Sequence, residues 1–594
     1  MESRHMKNHM AEKRLTATVI SVVWERVTMH LTVQISGKDG SKFSDIDRLK
    51  FYAVDKSYTP QAMFIREKMS EDKIELSLNV SNTGDCRALA VGGYFIYACL
   101  GNEILAKCVT GHELVPQMES VSRCFLHSNR SKGYLVNFFV SDGEEDLPFF
   151  MHVLYTKKGG MNPGKDSDIL RSAAKSPFTT LKKNGGRIRW RTYYKNERKK
   201  YANKKKTVLF MTEQSDKLGG NLVAVKEQME RMGLDKEYEI MTSARPASYI
   251  PQSHQSTKEL LTKLAKAQTV YIDDHVPMFD WLFLDKKTTV IQLWHAGAGF
   301  KSSGYSRWGH LGCPAPVSCH RQYSYGIAGS KQIGIFFAEV FGINEEQILP
   351  TGMPRMDEYL DQDYRTKTEK MLYEKYPMCK GKKVILFAPT YRGKSRKDAY
   401  YPYERIDFDR LYEFCGEEYV VWFKMHPWVK APVPIKEEHK DRFLDLGTYP
   451  NINDLFYLTE ILITDYSSNI FEYSLMRKPM LFFAFDKIQY SFSRGFHRDY
   501  EEAAPGKICY EFDGLMVALE NKDYEYEKVN EYVDKHFDYI DSNASKRVIE
   551  WTLLGKMPED IKKAIEKRQN EIKYMHSLDF SELEEMNEEE EENS

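Results

Sequence analysis

Side chains that could hold a phosphate group follow an apolar run in ITDYSSNIFEYS at 463–474. The run predicts a strand that ends at Thr464, and Ser467 and Ser468 are predicted to begin a helix. Two hydroxyl groups beside the free N–H groups of a helix N-terminus form a site for an anion. Glu472 follows Ser468 by one helical turn, where its carboxylate could accept hydrogen bonds from a ribose diol. Ordinary N-capping by serine, with a surface glutamate, explains the same pattern.

Two histidines also follow predicted strands. His295 lies in IQLWHAGAGFKSSGYS at 291–306, and His426 lies in FKMHPWV at 423–429. An imidazole at a strand end can accept or donate a proton near neutral pH. The glycines after His295 would let a bound group approach the backbone closely. A single histidine at a strand end more often serves packing, so its neighbours decide between the two interpretations.

Further donors recur at successive predicted strand ends. Thr390 and Arg392 lie in LFAPTYRG, Arg355 lies in TGMPRMD, and Arg494 lies with His497 in SRGFHRDYEEAAPG. Hydroxyl, imidazole and guanidinium groups on several sides suit a diphosphate. The chain has no G-x-x-x-x-G-K-[ST] loop and no G-x-G-x-x-G turn after a first strand, which argues against a P-loop kinase and a nicotinamide dehydrogenase. We interpret DDH at 273–275 as a strand end rather than as metal ligands.

The order of predicted strands and helices around these residues indicates an α/β fold. Apolar runs alternate with helical patterns from residue 207 onward, which is typical of parallel sheets. Two such series predict Rossmann-like domains at 207–370 and 371–560, with ligands in the cleft at the carboxyl ends of strands. An all-β, sandwich-like accessory domain is predicted at 1–157, before a basic linker or helix at 158–206. Residues 561–594 are predicted to be helical and then acidic and disordered. The β-rich runs of the first domain are 16–25, 29–37, 48–55, 62–69, 73–81, 92–100, 103–109, 134–142 and 149–156.

Charge distribution says more about partners than total charge does. The 594 residues hold 85 Lys+Arg and 86 Asp+Glu, yet residues 182–206 contain twelve basic residues and one acid, interleaved with aromatics. This segment fits a solvated connecting helix, a surface for anionic lipid or polyanionic polymer, or a nucleic-acid contact. The first residues lack the apolar core of a signal peptide, and no run reaches the length of a membrane span, so we expect a cytosolic or peripheral protein. The nine cysteines form no CxxC, so no zinc site is predicted.

The ordered motifs W-H-A, G-x-P-R-x-D, APTYR, K-x-HP, TDYSSxxFEY and RGFxxDYExxxPG resemble a known family. They are similar to the CDP-glycerol or CDP-ribitol glycerophospho- and ribitolphosphotransferases of teichoic acid and capsule synthesis. The resemblance covers roughly residues 207–550. It implies a GT-B fold and a peripheral enzyme at the cytoplasmic face of a bacterial membrane. The β-rich N-terminal region is similar to that of the longer polymerases in this group.

The resemblance also implies roles for individual residues. His295 matches the proposed general base, and His426 matches the histidine that contacts the pyrophosphate; we predict both as catalytic. Ser467 and Ser468 match phosphate-binding serines, and Glu472 matches the acidic residue at the nucleotide ribose. The other predicted substrate-binding residues are Gly220 and Asn221 in the first strand–helix turn, Asp465 supporting the serine turn, and Lys301, Arg355, Thr390, Arg392 and Arg494.

The implied reaction is attack of an acceptor hydroxyl on the β-phosphorus of a CDP-polyol, with release of CMP. The expected partners are this donor, a lipid-linked polymer acceptor and, through 182–206, an anionic membrane; nucleic acid is not expected, and an oligomer is compatible with the sequence. No essential cofactor is predicted, although a bound Mg²⁺ is compatible with the sequence. Many family members read W-H-G-T-P-L-K, whereas this chain reads WHAGAGFK, which is more like the ribitol-phosphate branch. A GT-B glycosyltransferase and a non-catalytic scaffold remain the alternatives.

Overall fold

The computed structural model describes residues 15–37, 40–127, 132–140, 147–155, 177–201, 206–246, 252–297, 301–308, 314, 319–393, 396–581 and 583. These residues form a mixed α/β protein whose strands build four sheets. The predicted linker residues 158–176 and the acidic run 584–594 lie outside the described residues. No helix in the described part is long and apolar enough to cross a membrane.

Residues 15–155 form two largely antiparallel sheets, which we call the β-rich region. Buried and exposed side chains alternate along strand β1, as expected of a strand with one face on a core. The sheet orders are β5-β6-β2-β1-β9 and β10-β11-β12-β7-β3-β4, with β8 beside β7. The strands β1 to β12 are Leu15–Glu25, Thr28–Gly37, Lys50–Asp55, Pro60–Met63, Ile65–Met69, Lys73–Asn79, Gly92–Leu100, Glu103–Lys107, Val109–Thr110, Arg123–His127, Lys132–Val140 and Phe149–Tyr155.

The prediction of a single strand at 62–69 is wrong. The run at 62–69 forms two strands, β4 and β5, which belong to different sheets. Phe64 lies between them and is buried in the core of the region. The chain therefore crosses from one sheet to the other at a residue that is as apolar as its neighbours, so hydrophobicity alone gave no sign of the break.

Two six-stranded parallel sheets follow, with orders β14-β13-β15-β16-β17-β18 and β21-β20-β19-β22-β23-β24. We call the parts of the chain that build them the first and second parallel units. Strand β13 is buried at every position, as expected when both faces of a sheet are covered. The strands β13 to β24 are Thr207–Thr212, Glu239–Ala244, Thr269–Ile272, Thr289–Gln292, Tyr325–Ile327, Ile348–Leu349, Lys383–Phe387, Tyr419–Phe423, Phe443–Asp445, Thr459–Thr464, Met480–Phe483 and Lys507–Cys509.

The described helices connect these strands or extend from the sheets. Helix α16 returns to the β-rich region, where the Phe580 ring just beyond it lies 6.4 Å from Tyr52 and 5.8 Å from Tyr97. The helices α1 to α16 are Met118–Val121, Pro177–Lys200, Gly220–Arg231, His254–Lys266, Gly334–Phe341, Met356–Tyr359, Gln362–Lys375, Phe408–Cys415, Ile452–Phe456, Ile470–Ser474, Lys487–Ser493, Tyr500–Ala503, Phe512–Asn521, Glu527–His536, Ala544–Thr552 and Glu559–Ser577.

Parallel pairing fixes where the predicted site residues can lie. The carboxyl ends of all strands in one parallel sheet meet at the same edge, which is where α/β proteins bind ligands. The segments after β16, β19, β20 and β22 carry His295, Arg392, His426 and Ser467, respectively. The sheet topology therefore brings Arg392, His426 and Ser467 to one edge of the second parallel sheet and places His295 at the corresponding edge of the first.

Candidate active site

The His295 turn is held by side chains of neighbouring elements. Trp294 adopts a left-handed backbone conformation, with φ of 49°, which is unusual for a residue other than glycine. The Asn221 amide donates to the carbonyls of Leu293 and Trp294 at 2.8 Å each. The Gln292 side chain accepts the Trp294 N–H at 2.9 Å. These three hydrogen bonds stabilise a strained turn and direct His295 out of the sheet edge.

Asn221 and Gly220 therefore have different places in the site. Asn221 is 2% exposed, and its remaining amide oxygen accepts the Arg355 N–H at 2.9 Å. It positions the His295 turn and has no surface left for a substrate. Gly220, with φ of +50°, begins helix α3 and lines a cavity of about 910 Å³, which we call the larger cavity.

The His295 side chain is accessible and is oriented by an acidic neighbour. Its imidazole is 55% exposed, and Nδ1 lies 3.6 Å from Asp274 Oδ2 and 3.2 Å from the Asp273 carbonyl. Asp274 follows β15, the strand beside β16, so sheet pairing alone brings the two residues together. Contact of Nδ1 with these acceptors leaves Nε2 as the nitrogen for a substrate. Sequence reasoning missed this role, because DDH was interpreted only as a strand end.

Arg355 joins the two parallel units next to His295. Its Nη1 donates to the His295 carbonyl at 2.8 Å, its Nε donates to Glu472 Oε1 at 3.1 Å, and its Nη2 also pairs with Glu472. Glu472 is 4% exposed, whereas the Arg355 side chain is 21% exposed, so the ion pair is buried on the glutamate side and reached by solvent on the arginine side. The predicted ribose carboxylate is thus bound to an arginine of the opposite unit, and a ribose must compete with that arginine.

The His295 turn also packs directly on the second unit. A Cβ atom built on Gly297 would lie 2.5–2.7 Å from three ring atoms of Phe471. Carbon atoms pack at about 3.5–4.0 Å, so no side chain fits there without displacing the turn. Glycine at this position lets the backbone lie against the aromatic ring.

Asp465 is the centre of a buried network beneath the serine turn. It is 0% exposed and accepts the Thr390 N–H at 2.8 Å, the Thr390 hydroxyl at 3.1 Å and Arg392 Nη1 at 2.9 Å. Arg392 also donates Nε and Nη2 to Asp486 at 2.5 and 2.8 Å. Burial alone would lower the pKa of Arg392, but the carboxylates of Asp465 and Asp486 raise it. Thr390, Arg392 and Asp465 therefore shape the turn from below.

The helix predicted to begin at Ser467 begins later. The backbone bends at Asp465, whose carboxylate accepts the Tyr466 N–H at 2.5 Å, and helix α10 starts only at Ile470. Ser467 is 8% exposed and accepts the Asn469 N–H at 3.3 Å, so it stabilises the bend. Ser468 lines a second cavity, of about 210 Å³, which we call the smaller cavity. The prediction that Ser467 and Ser468 begin the helix is wrong, because Ser467 lies in the bend and the helix starts at Ile470.

His426 is poised as a neutral hydrogen-bond donor. Its Nδ1 accepts the Trp428 N–H at 3.2 Å, so the ring proton belongs on Nε2. The Tyr391 ring lies 4.7 Å from the imidazole. Burial, together with the positive charges of Lys301 and Lys424, lowers the pKa of His426 to about 4. The imidazole therefore stays neutral at physiological pH and can offer an N–H to an anion.

Two cations lie near His426. Burial lowers the pKa of Lys301 to about 8, with Asp465 opposing this and Arg494 adding to it. Lys301 pairs through its backbone with Phe496 of the second unit. Within the described part of the chain its ammonium group has no ion pair. Arg494 donates to the Tyr391 hydroxyl at 2.7 Å.

The smaller cavity collects side chains from both parallel units. His295 comes from the first unit, Ser468 and His497 come from the second, and Lys301 lies in a segment that bridges them. The larger cavity is lined by Arg355, the residue that donates to the His295 carbonyl, so the two cavities are neighbours. The described residues contain one three-residue group with metal-ligand spacing, namely Asp409, Glu438 and His439; it lies outside both cavities, and Lys436 also occupies its Asp409. The prediction that no metal is needed stays a prediction.

Comparison with known proteins places this geometry in a family. Residues 192–554 match the model of the family described as CDP-Glycerol:Poly(glycerophosphate) glycerophosphotransferase. The teichoic acid ribitol-phosphate polymerase TarL of Staphylococcus aureus is 41% identical over 351 residues, which are 59% of this chain and 62% of TarL. The teichoic acid poly(ribitol-phosphate) polymerase of Bacillus spizizenii is 35% identical over 371 residues, which are 61% of this chain and 59% of that protein. The chain thus spans only about three fifths of the length of these two relatives.

A solved structure shares the fold. A variant of the wall teichoic acid polymerase TagF superposes with a TM-score of 0.50 at 23% identity, covering 68% of this chain and all of that chain. The match confirms the α/β architecture. Because the family model covers more than half of the residues, the chain belongs to the CDP-Glycerol:Poly(glycerophosphate) glycerophosphotransferase family.

Proposed function

We propose that this protein transfers a polyol phosphate from a CDP-polyol to a hydroxyl group of a lipid-linked polymer and releases CMP. The observation that carries the proposal is the smaller cavity, where an accessible histidine, a lysine ammonium group and a serine hydroxyl converge from two parallel units. We further propose that these units are the two Rossmann-like domains of a GT-B fold and that the β-rich region is a sandwich-like domain. A cleft between such domains is the usual place for a nucleotide-activated donor.

His295 is proposed as the general base. Its exposed Nε2 takes the proton of the acceptor hydroxyl while the hydroxyl oxygen bonds to the β-phosphorus and the bond from that phosphorus to the CMP oxygen breaks. Asp274, 3.6 Å from Nδ1, orients the ring and stabilises the imidazolium that forms. A neutral imidazole near pH 7 is a suitable base for this step.

The groups around His295 can take up the negative charge of the leaving CMP and of the transferred phosphoryl group. Lys301 supplies an ammonium group, His426 supplies Nε2–H, and Ser468 supplies a hydroxyl. Of the three, His426 is held by the Trp428 N–H and the Tyr391 ring before the substrate arrives, which is the condition for strong electrostatic stabilisation of a transition state. We propose that no metal is essential, and that Mg²⁺ has at most a supporting role.

The nucleotide is proposed to lie on the side of the larger cavity. A ribose diol that donates to Glu472 would take the place of Arg355, whose guanidinium is then free to turn toward the diphosphate. The Arg355–Glu472 pair supports this exchange, because Oε1 of the buried carboxylate already accepts two hydrogen bonds from Arg355 and could accept a ribose hydroxyl in their place. Donor binding would thereby break one contact between the units and replace it with the donor itself.

Ribitol phosphate is the proposed polyol phosphate, and glycerol phosphate is the second candidate. TarL and the Bacillus spizizenii relative are both named as ribitol-phosphate polymerases, and each is more than a third identical to this chain in the aligned part. The WHAGAGFK segment, which resembles the ribitol branch, agrees with this choice.

The basic helix α2 is proposed to hold the enzyme at the cytoplasmic face of a bacterial membrane. Only part of its charge is available for this purpose. Arg198 donates to the carbonyls of Ala265 and Ala267, and Arg191 donates to the Trp281 carbonyl, so both hold the helix on the first unit. The described basic residues on its exposed side are Arg187, Arg189, Lys195, Lys199 and Lys200, of which Lys200 pairs with Glu197 at 2.5 Å. Each is expected to add about 1 kcal/mol near an anionic surface.

A donor panel tests the proposed function. Purified protein is incubated with a lipid-linked acceptor and labelled CDP-ribitol, CDP-glycerol or a set of UDP-sugars, and the products are identified by mass spectrometry. We expect polyol phosphate transfer with equimolar CMP, and no transfer by His295→Ala. Transfer from a UDP-sugar alone would favour a GT-B glycosyltransferase instead. Unchanged polymer synthesis in cells that carry His295→Ala would favour a scaffold.

A further inference from the structure

A buried carboxylate joins three parts of the chain beside the smaller cavity. Glu339, on helix α5 of the first unit, is 3% exposed. Arg26, in the turn between β1 and β2 of the β-rich region, donates Nε to Oε2 at 2.8 Å and Nη2 to Oε1 at 3.1 Å. The Thr28 hydroxyl donates to Oε1 at 3.3 Å, and His497 Nε2 of the second unit lies 3.0 Å from Oε2. Four contacts therefore saturate this carboxylate.

Arg26 decides which nitrogen of His497 carries the proton. A guanidinium group can only donate, and its two bonds keep Glu339 ionised and therefore able only to accept. Burial alone would raise the pKa of Glu339, but the hydrogen bonds from His497 and Arg26 lower it. His497 must then donate Nε2–H, so that Nδ1 keeps its lone pair. Burial lowers the pKa of His497 despite the opposing effect of Glu339, and the ring is neutral at pH 7.

The other nitrogen of His497 has no partner in the described part of the protein. His497 lines the smaller cavity with His295 and Ser468, and no described side chain or carbonyl lies within hydrogen-bond distance of Nδ1. The Phe336 ring packs edge-on at 5.3 Å and holds the imidazole plane. Arg498, the adjacent cation, covers the face of Phe336 at 4.7 Å. His497 lines the cavity and its Nδ1 is not among the fully buried polar atoms, so a hydroxyl group in the cavity can donate to it.

The β-rich region also anchors the segment that carries Lys301. Trp308, seven residues after Lys301, is 3% exposed and belongs to the core of the β-rich region. Its ring lies 4.7 Å from Tyr134 and 5.5 Å from Phe125. The segment that carries Lys301 is therefore held by the same region that supplies Arg26.

We propose that the β-rich region is a working part of the cavity: Arg26, acting through Glu339, presents Nδ1 of His497 to a hydroxyl group of the polyol. This inference rests on the proposed function, which supplies the polyol. His497 is then a substrate-binding residue, whereas Arg26 and Glu339 are positioning residues that never touch the substrate. The region predicted as an accessory domain thereby gains a defined role in donor recognition.

Two replacements of His497 separate its two nitrogens. Glutamine places an amide nitrogen near the Nε2 position and keeps the contact with Glu339, but it has no polar atom at the Nδ1 position. Asparagine places its amide group near the Nδ1 position, but it has no polar atom at the Nε2 position and loses the contact with Glu339. We expect His497→Gln to melt like the native protein and to raise KM for the CDP-polyol about 3- to 10-fold with little change in kcat, as for one lost neutral hydrogen bond. We expect His497→Asn to melt lower and to change KM less. A native KM in His497→Gln, or an equal rise in both variants, would overturn the proposal.

Variants of Arg26 test the positioning role. With ¹⁵N-labelled histidine, we expect the native His497 signal to show a protonated Nε2 and a free Nδ1, assigned by its absence in His497→Gln. Arg26→Met is expected to disturb that pattern and to raise KM, and Arg26→Lys to restore both in part. An unchanged imidazole signal in Arg26→Met would refute the relay, even if the variant were less stable.

The same experiments distinguish this proposal from the proposed function. If the native protein turns over no CDP-polyol, the proposed function fails and the polyol is excluded as the ligand of His497. If the native protein is active and His497→Gln has native kinetics, only the role of His497 fails. The imidazole signal reports on the Arg26–Glu339–His497 contact without any turnover, so the relay is decided in either case.

Discussion

Replacing Lys301 with methionine removes a positive charge that the fold keeps between the two parallel units without an ion pair among the described residues. Burial lowers the pKa of this amine from its usual 10.5 to about 8. At pH 7 the folded chain must hold a proton on a buried amine, whereas the unfolded chain holds it in water. At about 1.4 kcal/mol for each pH unit, this difference costs the native state about 3 kcal/mol, as an upper limit.

The pH dependence has a defined sign. Between pH 8 and pH 10.5 the unfolded chain binds the Lys301 proton and the folded chain does not, so the free energy of unfolding rises with pH in this window. We expect Lys301→Met to be more stable than the native protein by up to about 3 kcal/mol at pH 7. The advantage should shrink by about 2 kcal/mol at pH 9.5, because the native amine has then lost its proton. Transfer activity of the variant should fall strongly at pH 7, where the native amine is charged, since the ammonium group is proposed to bind the donor diphosphate.

Urea unfolding of both proteins at pH 7 and pH 9.5 measures the effect, and the difference between them cancels the titration of all other groups. CDP added at a saturating concentration should stabilise the native protein more than the variant. Lys301→Gln, which keeps a polar side chain, is the matched control and should show the same change with pH. A variant that is less stable than the native protein at pH 7, or a difference that does not change with pH, would refute the reasoning.

Three further outcomes follow from the site. Asp274→Asn should lower kcat about 10- to 100-fold with little change in KM, because the His295 ring is then less well oriented. The rate of CMP release measures kcat. An unchanged kcat would contradict the orienting role of Asp274. Gly297→Ala should lower the free energy of unfolding by about 1–3 kcal/mol, because its methyl group would overlap the Phe471 ring. Most of this loss should disappear when the same substitution is made in a protein that also carries Phe471→Ala. An equal loss with and without Phe471→Ala would count against the contact. His426→Asn should lower activity without altering the shape of the pH–rate profile from pH 5.5 to 8, since the pKa of His426 is about 4; a profile that loses a limb would show that His426 titrates in this range.

The strands could be predicted from the sequence because hydrophobic runs and turn-forming residues depend only on neighbouring positions in the chain. The apolar run at 207–213 gives β13 at Thr207–Thr212, and the run at 288–295 gives β16 at Thr289–Gln292. The second prediction runs three residues too long at its end. Leu293 and Trp294 remain apolar after the chain has left the sheet, since they turn into the core beneath His295.

The ordered motifs also identified the family and the candidate residues before any contact was known. What they did not separate is a residue that faces the cavity from one that supports it. Asn221, Arg392 and Asp465 carry the same functional groups as cavity residues, yet each is buried and bonded to the protein. The bend after Asp465 likewise divides two adjacent serines between a supporting and a cavity-lining position.

The sequence by itself thus determined the elements, their alternation and the chemistry at each strand end, because these depend on neighbouring residues. Only the tertiary structure decided which of these groups meet. Asp274 reaches His295 through the pairing of two adjacent parallel strands. Arg26 reaches His497 across more than four hundred residues, through a glutamate of a third element. Such contacts are set by the packing of whole units against one another, and no local pattern records which distant side chains will share a buried carboxylate.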